Sequence, residues 1–315
     1  MKLQHFRQVV AIAEQGSIRA AARWLDVGQP TLTRDLAELE RELGGALFER
    51  RARGVVATEL GRAFVRRAAS ILQEVRRARE EVEQLRGATT GTVTVGFSIA
   101  AHIALVPGIL QRFQKRYPQV RLHIIEGFYP TLEAGLRDGT VDFYVGPDPG
   151  GKVAPELSQE LLSANTRAVL CRVGHPLAGA RSLSDLCEAS WITTSITMDA
   201  EDEIGLVFAR YDLPPPKLAL RSQSALTLMT CLAHSDLLAM APIQWSGFAL
   251  TRGALTTVPI REELAAPSIV IISRADLPLT PAATHLLDLV RHVQASARAL
   301  PPLSGRQSRR PGDTR

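Results

Sequence analysis

Cysteine is scarce and scattered. Cys171, Cys187 and Cys231 are the only three, with no CxxC pair and no zinc-type Cys/His spacing. An odd, dispersed set excludes a fully paired disulfide framework. It leaves two readings for each thiol, a small buried hydrophobe or a redox-active group. Aromatic residues are 5% of the chain, too few for an RNA reader built on stacking platforms. No apolar run reaches the length of about 18 residues that spans a bilayer. The start, MKLQHFRQVV, is polar from its second residue and lacks the basic-then-apolar layout of a signal peptide, so the cytoplasm is the expected location. Catalytic signatures are missing too: there is no GxSxG, Walker loop, HExxH or His/Cys/Asp cluster. Ser98, in Gly96-Phe97-Ser98-Ile99-Ala100, lacks the glycine frame of a nucleophile elbow. Neither an enzyme nor a cofactor or metal is expected.

What is present is a chain of 315 residues, long enough for two or more domains. It carries 37 Lys and Arg against 32 Asp and Glu, a formal charge of +5, which suits a polyanionic partner. Residues 1–58 read as three short helices and a wing. An apolar stripe from Leu3 to Ala13 stops near Gly16, and Ser17 caps an alanine-rich helix over Ile18–Leu25. Val27-Gly28 turns the chain. Gln29-Pro30 opens a third helix that Gly44-Gly45 ends. Two short apolar strands then flank the basic tip Arg51-Ala52-Arg53-Gly54.

Residues 59–90 read as a long linker helix and hinge. Phe64, Ala68, Ile71, Val75, Ala78, Val82 and Leu85 repeat at alternating spacings of four and three, a heptad seam. The seam predicts dimerisation through a partner helix; the other reading is one helix of a monomeric bundle. From 91 to 297, β and α signals alternate, which predicts an α/β domain in two lobes (I, about 91–162 and 268–297; II, about 163–267). Residues 298–315, rich in Pro, Arg and Ser, read as a disordered tail, with nonspecific phosphate contact by its arginines as the other reading.

A helix, a tight turn and a second helix place that second helix to lie in a DNA major groove. Leu32, Leu36 and Leu39 face the core, which leaves Gln29, Pro30, Thr31, Thr33 and Arg34 at the reading end. Amide, hydroxyl and guanidinium groups there reach base edges and phosphates. Arg50, Arg51 and Arg53 on the wing can neutralise flanking backbone or enter the minor groove.

The block Ala20-Ala21-Ala22, Gln29-Pro30 and Leu39-Glu40, then Leu47-Phe48-Glu49-Arg50, Gly54-Val55 and Thr58-Glu59-Leu60-Gly61, resembles the LysR-type transcriptional regulators. The resemblance runs over nearly the whole chain. Gly28 stands where the family usually has serine, Thr31 and Thr33 where alanine and serine are common, and Ala57 where leucine is usual. These departures bear on the DNA half-site. Within the family, through segments such as Gly127-Phe128-Tyr129-Pro130, Phe208-Ala209-Arg210-Tyr211-Asp212-Leu213-Pro214 and Ala233-His234-Ser235-Asp236, the sensor half resembles regulators of toluenesulfonate degradation and, more distantly, of threonine degradation. The resemblance implies a winged helix-turn-helix head, a linker helix, and a sensor like a periplasmic binding protein with an effector between two α/β lobes. It implies promoter DNA and a small molecule as partners, with RNA polymerase added if the protein is an activator. A homodimer, and from it a homotetramer, is the expected assembly.

In such a cleft, loop-to-helix joints beyond the carboxyl ends of strands hold the ligand. Ser98, Ile99 and Ala100, then Gly127, Phe128 and Gly146, would line the first lobe; Thr194, Ser195 and Ser224 would line the second. Helix N-termini with Ser/Thr hydroxyls favour an anion, here a small carboxylate or sulfonate met first by Ser98. The bland reading is that these hydroxyls only cap helices. His102, one turn inside the first sensor helix, is either a packed or exposed helix histidine or a proton-dependent contact.

Overall fold

The structure is a computed structural model that describes residues 1–52, 54–151, 153–194, 200–222 and 224–299. The head packs helices α1 (Leu3–Gln15), α2 (Ile18–Trp24) and α3 (Gln29–Leu43) against a hairpin of β1 (Phe48–Arg51) and β2 (Gly54–Ala57). Leu32 and Leu39 are fully buried with Val9, Ile12, Ala21 and Leu47, each large side chain contributing roughly 1.5–3 kcal/mol. Ser17 accepts from the Ala20 amide as the expected cap. Polar side chains finish the head. Asp35 of α3 accepts from Gln8 of α1 at 2.7 Å, and Glu40 accepts from the Leu47 amide at 2.7 Å.

Helix α4 (Glu59–Leu85) follows without a break, capped by Thr58, which accepts from the Gly61 amide. The sensor then runs β3 (Thr90–Phe97), α5 (Ile99–Arg116), β4 (Gln119–Glu126), α6 (Tyr129–Asp138) and β5 (Phe143–Pro147). After β6 (Leu157–Arg172) come β7 (Ser190–Thr194), α7 (Ala200–Ala209), β8 (Lys217–Ser222), α8 (Ala225–His234) and β9 (Leu237–Pro242). The chain closes with β10 (Leu255–Val258), β11 (Ala265–Arg274) and α9 (Pro281–Ala299).

The spatial order β4-β3-β5-β11-β6-β9-β7-β8 contains the same device twice. In each half, three successive strands stand with the first in the middle: β3 between β4 and β5, and β7 between β8 and β9. All these neighbours are parallel. Each half therefore has a switch point at the carboxyl ends of its first and third strands, where open α/β sheets bind ligands. Strand β6 joins the halves. It pairs with β11 over Leu157–Thr166 and with β9 and β10 over Arg167–Arg172.

Sequence periodicity covers only the second half of β6, Arg167–Arg172. Residues from Ser158 to Leu161 are exposed, so their pattern carries no alternation that marks a half-buried strand. β3 begins at Thr90 and shortens the expected hinge. α9 runs to Ala299, so 298 and 299, expected in the tail, are helical; the rest of the tail lies outside the described residues.

Candidate functional site

The reading end of α3 stands clear of the core. Its N-cap is Gly28, which offers no side-chain hydrogen bond, and Pro30 sits in the first turn. Gln29, Pro30, Thr31 and Arg34 are exposed and Thr33 is half-buried. The Thr33 hydroxyl donates to the Gln29 carbonyl at 2.9 Å, so it presents a methyl group and an oxygen acceptor rather than a free donor. On the wing, Arg50 is exposed, while Arg51 pairs with Glu49 at 2.7 Å. Arg53 lies outside the described residues.

The apolar seam of α4 divides. Phe64 stacks on Phe6 at 5.8 Å and packs with the head core, and Ala68 is fully buried. These two, expected at a dimer contact, are engaged within the chain because the head folds back on the first turns of α4. Ile71, Ala78, Val82 and Leu85 remain exposed and Val75 half-exposed. Beside them, a groove of about 690 Å³ runs between α1, α2 and α4, lined by Val10, Trp24, Leu25, Leu72 and Val75 among others.

Polar residues of α4, which periodicity assigns to solvent, fasten the helix to the first lobe. Arg77 is buried and donates to Asp142 at 2.8 Å and to the Gly139 carbonyl at 2.7 Å. Asp142 also accepts from the Thr94 amide at 2.7 Å. Burial pushes the Asp142 carboxyl above its usual range, and the Arg77 charge pulls it part of the way back. One heptad on, Gln84 donates to the Thr90 carbonyl and accepts from the Ala282 amide. Glu74 reaches both Arg77 and Arg274. Only the fold reveals these partners, which are up to 200 residues away in sequence.

In the sensor, the strand ends gather the first-lobe residues. Phe97 stands opposite Val145, the Ser98 amide donates to the Val145 carbonyl, and the Gly127 amide donates to the Phe97 carbonyl. Ser98 is 1% exposed and its hydroxyl caps α5 by accepting from the Ala101 amide. Phe128 is the N-cap of α6 and makes no side-chain cap bond. Ile99 and Ala100 are buried rather than open to a cleft. Ile99 packs with Leu170, Ile192 and Trp245 of the second half, so α5 begins at the seam between lobes.

In the second lobe, Thr194 stands beside Ser222 at the ends of β7 and β8, and Ser224 caps α8 through the Thr227 amide. Ser195 lies outside the described residues. Sequence reasoning missed Gln244 and Trp245 just after β9. Trp245 is 1% exposed with its indole N–H unpaired, and the side-chain oxygen of Gln244 is likewise buried without a partner. The Nδ1 of His102 is also buried and unpaired. Cys171 is fully buried, and burial raises its thiol; all three cysteines are free. Among the described residues, no helix is long and apolar enough to cross a membrane.

Residues 3–62 match the profile of the bacterial regulatory helix-turn-helix protein, lysR family, and residues 86–295 match the LysR substrate binding domain. The chain belongs to the LysR family of transcriptional regulators. It is similar to the SDS degradation transcriptional activation protein of Pseudomonas sp. (strain ATCC 19151), 29% identical over 96% of this chain and 99% of that one. It is also similar to the regulator GbpR of Azospirillum brasilense, 27% identical over 92% of this chain and 86% of that one. Among solved structures, CbnR bound to its target DNA superposes with a TM-score of 0.67 at 21% identity, covering 93% of this chain and 100% of that chain. Full-length OxyR C199D from Pseudomonas aeruginosa superposes with a TM-score of 0.67 at 22% identity, covering 93% and 94%. These two share the fold. The LysR-family chain is an effector-responsive DNA-binding transcription regulator, and its relatives are regulators rather than enzymes.

Proposed function

We propose that this LysR-family regulator acts as a homodimer, and through its sensors a homotetramer, on pseudo-palindromic promoter DNA in the cytoplasm. Gln29, Pro30, Thr31, Thr33 and Arg34 read the major groove, with Arg50 and Arg53 on the flanking backbone. The observation that carries this reading is the exposed start of α3, where Gly28 leaves the helix amides uncovered beside Arg34. Phosphate contacts at such a helix start fix register, and side chains beside them reach bases. The exposed seam Ile71, Val75, Val82 and Leu85, with the groove that Trp24 edges, supports pairing with the α4 helix of a second copy. Paired heads would span half-sites one helical turn or a multiple apart.

The effector proposed is a small carboxylate or sulfonate. Its first-lobe contacts are Ser98, Gly127, Phe128 and Gly146, with Ile99 and Ala100 offering only their backbone amides; its second-lobe contacts are Thr194, Ser195 and Ser224. A full-length relative with an SDS degradation role supports an anionic sulfur-oxygen group among the candidates. Effector binding shifts the lobes and, through the Arg77 joint, the heads, by no more than its differential affinity for the two arrangements. RNA polymerase is a further partner if the shift activates transcription. Gel shift with the DNA upstream of the protein's own reading frame tests the central claim, and no binding at low salt would sink it. Sedimentation of the intact chain tests the assembly: a monomer at micromolar concentration would overturn the α4 pairing.

A further inference from the structure

Tyr144 stands on β5 two residues before Gly146, so both face the same side of the sheet. It is fully buried in the cluster of Tyr129, Leu132, Leu136, Val270 and Ile272, its ring 6.4 Å from that of Tyr129. Its hydroxyl has no hydrogen-bond partner. A buried polar group left unpaired is uncommon and calls for a cause.

The ring runs along β5 toward the strand's carboxyl end. A Cβ added at Gly146 would overlap the Tyr144 hydroxyl and would come to 2.9 Å from the Ser98 Cβ. Glycine at 146 therefore makes room for the phenol itself, whose hydroxyl lies where a side chain would begin, against Ser98. The hydroxyl sits where the ends of β3 and β5 meet, at the switch point of the first lobe, beside Ser98 and the start of α5. The Tyr129 amide, in the first turn of α6, faces the phenol oxygen and tempers the effect of burial, but not in hydrogen-bonding geometry. The oxygen thus looks toward the positive end of α6 while its proton has no acceptor. Burial drives the phenol's ionisation far above its ordinary value, so the group is a neutral donor at any working pH.

We propose that the Tyr144 hydroxyl is an effector-binding and specificity-determining donor, taking an oxygen of the ligand seated at the α5 start beside Ser98. The inference rests on reading that start as the effector site. Its chemistry is selective. The start of α5 and a phenol O–H lie side by side, with the first turn of α6 facing the phenol, which suits a group with at least two acceptor oxygens, a carboxylate or sulfonate. An amine or a bare apolar end would leave the donor unmatched, and a site built to hydrogen-bond a polar group discriminates strongly against ligands lacking it.

The experiment uses the full chain and its Tyr144→Phe and Ser98→Ala variants, with acetate, benzoate and 4-toluenesulfonate as probes in thermal shift and calorimetric titration. The phenylalanine keeps the ring in its cluster and removes only the hydroxyl. Expected are binding of at least one probe by the parent chain, a ligand-free melting temperature in Tyr144→Phe equal to or above the parent's, and affinity for that probe lowered about 10- to 100-fold, the worth of one hydrogen bond to a charged group. Unchanged affinity in Tyr144→Phe with a loss in Ser98→Ala overturns the tyrosine and leaves the anion site standing. Unchanged affinity in both, or no binding of any probe by the parent, overturns the site itself and the proposal with it. A ligand-free melting temperature several degrees lower in Tyr144→Phe means that the hydroxyl has a structural partner, and overturns the proposal independently of any ligand.

Discussion

Two helix starts in this protein present the positive end of a helix in opposite settings. At α3 the cap is Gly28 and the surrounding residues are exposed. At α5 the cap is Ser98, 1% exposed and closed over by the other lobe through Ile99. The open start can meet a polymer from one side. The enclosed start, as the proposed effector site, would admit only what fits between two lobes. The difference lies in burial, not in helix chemistry.

The joint between the two starts should be the most sensitive point. Arg77→Met strips the buried Asp142 of its charge partner, and chemical denaturation should record a loss of about 3–5 kcal/mol. Adding Asp142→Asn to that variant should recover part of it, which an exposed pair would not do. Next in size is Gly61→Ala. A Cβ there would overlap the Leu47 carbonyl, and such overpacking costs about 1–3 kcal/mol; a melting temperature equal to the parent's would mean that the wing and α4 are not in contact.

Arg34→Ala probes the open start. DNA affinity should fall by about 1–3 kcal/mol in fluorescence anisotropy while the effector-induced thermal shift is unchanged. Ser98→Ala probes the enclosed one. Loss of its cap should cost about 1 kcal/mol of stability and weaken the effector, with effector-free DNA binding intact. Either variant losing both activities would show that the two starts are not separable.

The smallest effect concerns the far end of α5, where His285 lies against Phe113 and Tyr117. Burial and the nearby Arg116 charge hold its imidazole below the ordinary value. The folded state thus binds fewer protons than the unfolded one, so this contribution is complete above the ordinary histidine value and fades as pH falls through the lowered one. His285→Phe should flatten that shallow slope in melting temperature between about pH 7 and pH 5.

The head was legible nearly residue by residue because its signals are local: Ser17 and Gly44 at helix ends, Pro30 in a first turn, a leucine stripe for the core. The linker was legible as a helix but not in its loyalties. Its heptad periodicity cannot say that Phe64 and Ala68 serve the chain's own head. Nor can it say that Arg77 and Gln84, polar and apparently solvent-facing by spacing, are buried against the first lobe. In the sensor, Ser98 announced itself as a cap before a helix. Tyr144 did not, since a tyrosine within an apolar strand reads as core, and only the fold shows its hydroxyl lying over Gly146 beside Ser98.

By itself the sequence determined the order of parts: a three-helix head with a basic wing, one long helix, and alternating strands and helices, because caps, turns and periodicity act over a few residues. Tertiary structure alone decided which uncovered groups meet which partners. The charge of Arg77, the unpaired phenol of Tyr144 and the enclosure of Ser98 each depend on groups brought together across tens of residues or more, where burial sets the strength of every polar contact.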